Sequence, residues 1–441
     1  MILDQNYQPM FLYARDFVER AGRFSMPFGI ALEREKGCVK RYNTVINGSD
    51  IQASVHYIER VVKTMLWAYG GFKLTLRGNA TVCEAIKLAF SEKGARAFDI
   101  KMMEDVYLKP FKVVIAKDKL PEEKENPIKV AGALNGCRIG FDAGGSDRKV
   151  TAVQDGSLKF MEEVVWHPKL SADPQYHIDG IMESINSAKA HLPRVDGIGV
   201  STAGIVVDDE IRVASLFRKV PPSQFKAKII PIYKDLKKAF GCPVKVANDG
   251  DVAALAGAAE LKCGNVLGIA MGTSLAAGYI DGDGNIRGYI NELAFAPADA
   301  VGDESLDEWS GDKGTGCMYM SQDAVIRLMK MAKIRFDETL SPAEKLRVAQ
   351  NLVSGGDGKA EVVFSRMGEY FAYSILWFAE FYKIDKVLLL GRVASGKGGE
   401  VLLESAEKVL HKYESKIKIV LPDEKSRRLG QAYTAASLVK I

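Results

Sequence analysis

The chain has 441 residues, too many for one compact core, so two or three domains are expected. Hydrophobic residues make up 47% and charged residues 26%, which is ordinary globular usage and excludes a disordered or fibrous chain. Lys and Arg number 60 against 56 Asp and Glu, and the resulting net charge of +4 gives no electrostatic case for nucleic acid or an anionic membrane.

The first ten residues lack a basic stretch followed by an apolar run, so no signal peptide is expected. Helical spacing over residues 55–69 puts Ile58, Val61, Val62, Met65 and Leu66 on one side. A strand at 72–76, a helix over 80–93 and a strand at 111–115 make the opening region mixed α/β. Residues 117–129 (KDKLPEEKENPIK) are charged, hold two prolines and lack periodicity. They read as a linker or exposed loop, so residues 1–130 are expected to form an N-terminal α/β domain.

The pattern then sharpens. An apolar strand at 137–141 enters the turn Ala143-Gly144-Gly145-Ser146, continues over 149–153, turns at Asp155-Gly156 and returns over 158–166. A helix near 178–191 and a strand at 197–200 follow. A second copy of this opening runs from a strand at 266–271 into Gly272-Thr273-Ser274, then 276–280, a turn at 281–284 and a return strand starting at Ile286. Two such units suggest a duplicated domain with a cleft between lobes at 135–245 and 246–441. Ser341 to Glu344 has capping-box spacing. In the long helix over 362–382, Phe371, Phe378 and Tyr382 are expected to face the core, and a strand at 387–390 runs into the turn Gly391 to Gly396.

The most apolar stretch, 374–382, is too short to span a bilayer and contains Glu380. None of the six cysteines lies within four residues of another, and the five histidines do not cluster. Neither a disulfide framework nor a zinc site is expected, and a reducing cytoplasm is the natural setting.

Phosphates need backbone N–H groups at close range, which only small residues permit. Gly144, Gly145 and Ser146 offer this, as do Gly272, Thr273 and Ser274. One glycine turn is ordinarily only a turn; the pair, each at the end of a buried strand, points to phosphate. Asp142, just before the first turn, could hold magnesium, directly or through water, or could simply bond its own turn. Asn248-Asp249-Gly250-Asp251 follows a strand at 244–247 and opens a helix of small residues. One of these acids could be a helix cap, but a cap does not need both acids and Asn248. Kinases that phosphorylate a hydroxyl use an Asp to accept its proton.

These segments together resemble the ROK (repressor, open reading frame, kinase) family of sugar kinases. GFDAGGSDRKVTAVQDG (140–156) is similar to the family's first phosphate hairpin, usually D-x-G-G-T-K, and GIGVSTAGIV (197–206) to the next core strand. VANDGDVAALAGA (246–258) resembles the segment that carries the family's catalytic base, and IAMGTSLAAGYI (269–280) the second phosphate turn. NEL (291–293) falls at a sugar-contacting Glu, VLLLGRVASG (387–396) at the adenosine-side turn, and LGQAYTAASL (429–438) at the final helix.

The resemblance, over residues 137–441, implies a duplicated ribonuclease-H-like, actin/hexokinase-type α/β fold and ATP-dependent phosphorylation of a sugar or polyol hydroxyl, with ATP and magnesium as cofactors. It implies Asp249 as general base, Asn248, Asp251 and Glu292 on the substrate, and Gly391 and Gly396 on the nucleotide beside the two phosphate turns. Nucleic acid and membrane are not expected partners; a second copy of the chain is a candidate.

The departures are specific. Asp147 stands where the family has Lys, Phe295 near its sugar-contacting His, and Arg392 for a Gly. The family's zinc segment maps to 311–319, where only Cys317 survives and Tyr319 replaces a Glu, so no zinc is expected. Phe295 and Tyr319 are expected to form an apolar wall of the substrate pocket. The alternatives are a non-catalytic sugar- or nucleotide-sensing regulator of the same family and a kinase of a non-sugar alcohol. Residues 78–82 and the helix after them faintly resemble a DNA-recognition helix, but a strand is expected where its partner helix is needed.

Overall fold

Helix α1 (Met10–Ala21) buries Met10, Phe11, Ala14, Phe17 and Ala21, a helically spaced face. The computed structural model describes residues 3–130, 134–302, 306–421 and 424–441. After α1 come β1 (Ser25–Glu33), β2 (Val39–Asn47), α2 (Ile51–Tyr69), β3 (Lys73–Arg77), α3 (Ala80–Ala89), α4 (Ala97–Tyr107) and β4 (Lys112–Ile115). The strands form one sheet in the order β2-β1-β3-β4. Asp50 caps α2 through Ala53 N–H at 3.0 Å. The helix is buried from Tyr57 to Tyr69 all round, charged residues included, and not only along its apolar side. The strand β3 stands immediately before α3, as expected.

Residues 116–130 do more than link. Most of their side chains are solvated, but Leu120 is buried and Lys124 exchanges both backbone hydrogen bonds with Val39, at 2.7 and 3.0 Å. Ile128 pairs in the same way with Ile286, at 2.7 and 3.2 Å. The segment is a strap lying across the N-terminal region and the second lobe.

The first lobe contains β5 (Cys137–Ala143), β6 (Asp147–Gln154), β7 (Ser157–Val165), α5 (Pro174–Lys189), β8 (Gly197–Thr202), β9 (Ile205–Val207), β10 (Glu210–Val213), a single turn α6 (Pro222–Gln224), α7 (Ile232–Phe240) and β11 (Val244–Asn248). Its sheet runs β11-β8-β5-β6-β7. Asp155 and Gly156 take φ of 47° and 79°, the left-handed turn that their sequence suggested.

The second lobe contains α8 (Asp249–Glu260), β12 (Val266–Met271), β13 (Leu275–Ile280), α9 (Gln322–Met331), α10 (Pro342–Ser354), α11 (Gly358–Phe378), β14 (Lys386–Leu390), α12 (Gly396–Lys412), β15 (Lys418–Val420) and α13 (Glu424–Ala436). Its sheet runs β13-β12-β14-β15. In both lobes an antiparallel hairpin, β5–β6 or β12–β13, is extended on one side by two parallel strands. That repeat is the duplicated two-lobed α/β architecture expected from the paired turns. The expected return strand at Ile286 does not form: Ile286 makes only isolated bridges, to Ile280 and to Ile128 of the strap.

Two packing features tie the parts together. The N-terminal region and the second lobe share one continuous core, in which Trp67, Leu74 and Met103 join Leu267, Phe371 and Trp377. The last helix, α13, returns to the first sheet, where a β-carbon on Gly140 would meet Ala432 O at 1.8 Å and one on Gly199 would meet Ala435 O at 1.6 Å. Bare strands are what let that helix lie so close. Among the described residues no helix is long and apolar enough to cross a membrane.

Candidate active site

The carboxylates gather at the start of α8. Asn248 caps this helix, accepting from Gly250 N–H at 2.7 Å, and donates its amide to Gly204 O in the first lobe at 2.8 Å. Both ends of its side chain are therefore engaged. Gly250 lies against β13, where a β-carbon would sit 2.3 Å from Ala277 O. That close approach draws Asp249 and Asp251 onto the second sheet. Asp251 is buried and accepts from Tyr279 N–H at 3.0 Å and from the Asn291 amide at 2.8 Å, so it holds α8, β13 and the 288–292 loop together. Glu292 follows Asn291 into the same space, and no group among the described residues hydrogen-bonds its carboxylate.

Burial pushes Asp251 up to about 7. Burial, with the negative charges of Asp249 and Asp251 beside it, does the same to Glu292, also to about 7. Burial raises Asp249 above the usual carboxylate value as well. A proton-accepting group tuned upward suits a general base working near neutrality.

A raised carboxyl stabilises the fold fully below the ordinary carboxylate pKa, and that contribution is lost as pH rises through its folded value. Glu292→Gln should therefore be more stable than the native protein near pH 8, with the advantage vanishing toward about pH 5. His56 and His177, lowered by burial, act in the opposite sense but equally in both proteins. Melting temperatures of the pair across this range check it; a pH-independent difference removes the proposed tuning of Glu292.

Asp142 is buried at 4% exposure and accepts from the Ser201 hydroxyl at 2.6 Å. Burial raises it to about 6, with Asp249 nearby adding to the rise and Lys149 opposing it. Ser201, Asp142, Lys149 and Glu163 stand opposite one another on β8, β5, β6 and β7. Partners in register share one face of a sheet, so Lys149 projects beside Asp142. Lys149 pairs with Asp147 at 2.5 Å, and Ser146 donates to the other oxygen of Asp147 at 3.1 Å. Lys149 and Ser201 were not singled out in the sequence; the two-residue spacing of Asp147 and Lys149 along a strand was the available sign.

Gly145 and Ser146 are exposed at the tip of the first turn, and Thr273 and Ser274 at the tip of the second. Gly391 has φ 93°, and a β-carbon there would strike Met271 O at 2.2 Å, so the Gly391 turn packs directly on the strand that leads into Gly272. Asp249, Gly250, Ala270, Ala276, Gly391, Arg392 and Ser395 line one cavity of about 420 Å³. Gly396, with φ 61°, opens α12 outside that lining. Its walls are mostly glycines, alanines and two leucines, Leu388 and Leu390, and it holds two carboxylates, Asp249 and Glu260, with Arg392, a size and lining that suit a small-molecule ligand. Among the described residues no cluster of three or more His, Cys, Asp or Glu is placed to hold a metal ion.

The expected apolar wall is corrected in part. Tyr319 is 1% exposed and donates to Asp299 at 2.6 Å, so it is part of the core. Phe295 is half-buried and rests on Trp67 and Phe98, with ring centroids 4.4 and 5.7 Å away. Both partners come from the N-terminal region.

The segment 311–319, expected from the resemblance to match a zinc loop, is held by charge. Asp312 pairs with Lys63 at 2.6 Å, Arg96 at 2.6 Å and Arg60 at 3.3 Å. Arg60 and Arg96 also bind Glu59, at 2.6 and 2.5 Å, and Lys63 lies 3.2 Å from Asp99, which accepts from Trp67 at 2.6 Å. Three cations thus meet three carboxylates in a buried cluster. Against the burial penalty, Arg60, Lys63 and Arg96 hold the Asp312 carboxyl far below its usual range. Nothing local in the sequence around Asp312 signalled partners some two hundred positions earlier.

Residues 138–440 match the family model described as ROK family. The match leaves the N-terminal α/β region outside it. The chain is 23% identical over 305 residues to the N-acetylmannosamine kinase of Vibrio vulnificus, covering 65% of this chain and 97% of that one. The ROK hexokinase from Thermus thermophilus has a similar structure, with a TM-score of 0.53 and 21% identity over 68% of this chain and 97% of that one. The ROK family glucokinase from Streptomyces griseus, solved with glucose and AMPPNP, gives 0.50 and 19% over 69% and 98%. A ROK family transcriptional regulator homologous to the E. coli MLC protein gives 0.52 and 18% over 69% and 79%. At these identities the structural likeness is one of fold.

Proposed function

The chain belongs to the ROK family, and on that premise we propose that it transfers a phosphoryl group from ATP to a hydroxyl of a sugar or sugar-like substrate, with Asp249 as the general base. The observation that carries this reading is Asp249 itself, raised in pKa, at a helix start on the rim of the nucleotide-sized cavity. Asp249 accepts the proton of the substrate hydroxyl. Glu292, whose carboxylate has no hydrogen-bond partner among the described residues, accepts from a second hydroxyl. Asn248 and Asp251 fix the base and its loop through Gly204, Tyr279 and Asn291. The N–H groups of Gly145, Ser146, Thr273 and Ser274 receive phosphate oxygens, while those of Gly144 and Gly272 are taken up inside their turns by Asp147 O at 3.0 Å and Ser274 O at 2.9 Å. Magnesium–ATP, when bound, supplies the phosphoryl group and screens its charge, and Asp142 is the carboxylate that would hold the ion, with water and phosphate completing its shell.

Phe295, backed by Trp67 and Phe98, makes one side of the sugar site apolar. An apolar wall leaves a facing hydroxyl without a partner, whereas a site built on hydrogen bonds rejects analogues that lack them. Glucose should be a poor substrate. An N-acetylated hexose such as N-acetylmannosamine, the substrate named for the Vibrio relative, a deoxy sugar or a smaller polyol should have the higher kcat/KM. Measuring kcat/KM over this panel decides it, and glucose as the best substrate removes the apolar wall.

A non-catalytic sensor is the second reading, favoured by Asp147 in the first phosphate turn and Arg392 in the adenosine-side turn. It predicts sugar or nucleotide binding, seen as ligand-dependent thermal stabilisation, with no transfer to any sugar in the panel.

A further inference from the structure

The first phosphate turn carries an acid, Asp147, where a cation belongs. An uncompensated carboxylate there would repel a triphosphate. It is compensated: Lys149 holds one oxygen of Asp147 and the Ser146 hydroxyl holds the other. Lys149 is thereby committed to Asp147 and, across the strand pair, to Asp142. It leaves the turn roughly neutral and supplies no free charge for phosphate.

A second lysine is free. Trp166 clamps the segment after β7 onto the turn, donating its indole N–H to Gly144 O at 2.8 Å and its backbone N–H to Ser146 O at 3.1 Å. Trp166 is itself 2% exposed, so both hydrogen bonds of the clamp come from a buried residue. Three residues on, Lys169 comes back over the bare side of Gly145: a β-carbon built there would lie 3.5 Å from Lys169 Nζ and 3.6 Å from its Cε. Among the described residues no carboxylate pairs with Lys169. A half-buried lysine without a carboxylate partner, its ammonium held against an exposed glycine turn, is arranged for an incoming anion.

We propose that Lys169 is the phosphate-binding cation of this chain, contacting the terminal phosphates of the nucleotide at the Gly144–Ser146 turn in place of the lysine that Asp147 displaces. The proposal rests on the kinase reading. It explains why Asp147 is tolerated, since the charge at the turn arrives from the following segment.

The test uses the full chain and three probes, magnesium–AMPPNP, magnesium–ADP and AMP, with affinities from calorimetry for the native protein, Lys169→Gln and Lys169→Arg. Losing a charge-assisted contact should weaken AMPPNP roughly ten- to a hundredfold in Lys169→Gln. AMP, which has no terminal phosphates, should change less than about twofold, and Lys169→Arg should recover most of the AMPPNP affinity. The melting temperature without ligand should match the native protein, which shows that the variant folds. Equal AMPPNP affinity in native protein and Lys169→Gln overturns this assignment alone, as does an equal loss for AMP and AMPPNP. No binding of any probe to the native protein overturns the kinase reading and this assignment with it.

Discussion

Asp249→Asn should lower kcat by roughly two to four powers of ten while substrate and nucleotide still bind, the size expected for removing a general base. The replacement is nearly isosteric. An Asn side-chain oxygen can accept from Gly250 N–H as the Asp249 carboxylate does at 2.9 Å, so the helix start should keep its shape. Only proton acceptance is lost. Because burial raises Asp249 above the usual carboxylate value, native activity should fall as pH is lowered through a value higher than that of a solvated Asp. Steady-state turnover with calorimetric binding separates the two effects. Unchanged turnover in the variant removes Asp249 from the mechanism, and no turnover in the native protein favours the sensor.

Asp312→Asn should destabilise the fold by about 3–5 kcal/mol, the range for breaking a buried ion pair from one side. Its carboxylate is the shared partner of Arg60, Lys63 and Arg96, and Lys63 has no exposed surface at all. Without Asp312 the cluster keeps three cations against Glu59 and Asp99. Adding Lys63→Met removes one positive charge and should recover part of the loss, a coupling that a double-mutant cycle in urea measures. The depressed Asp312 carboxyl contributes at neutral pH and loses that contribution only as pH falls below the ordinary carboxylate range. A loss under about 1 kcal/mol would mean that the cluster behaves like a solvated surface pair.

What could be read along the chain was local. The β6–β7 hairpin was legible because Asp155-Gly156 takes left-handed backbone at the end of an apolar strand. The α10 start was legible because Ser341 and Glu344 cap each other within four residues. Asn248 and Asp249 were legible as a strand end and a helix start carrying more polar groups than a cap requires. The second hairpin was over-read by one strand. A β-ladder needs a partner, and the partner of Ile286 on that side is the strap residue Ile128, which sequence spacing could not supply.

By itself, then, the sequence determined the two glycine turns, the helix that presents Asp249 and the strands that hold them, because caps, turns and periodicity act over a few residues. The tertiary structure alone decided the rest. It made Tyr319 core by giving its hydroxyl to Asp299, and it seated Phe295 on Trp67 and Phe98. It bound the loop at Asp312 to three cations of the N-terminal region, set Lys149 against Asp142 across a strand pair and carried Lys169 over Gly145. Each is a contact between segments whose separation is set by how layers pack, and such contacts leave no period in the chain to read.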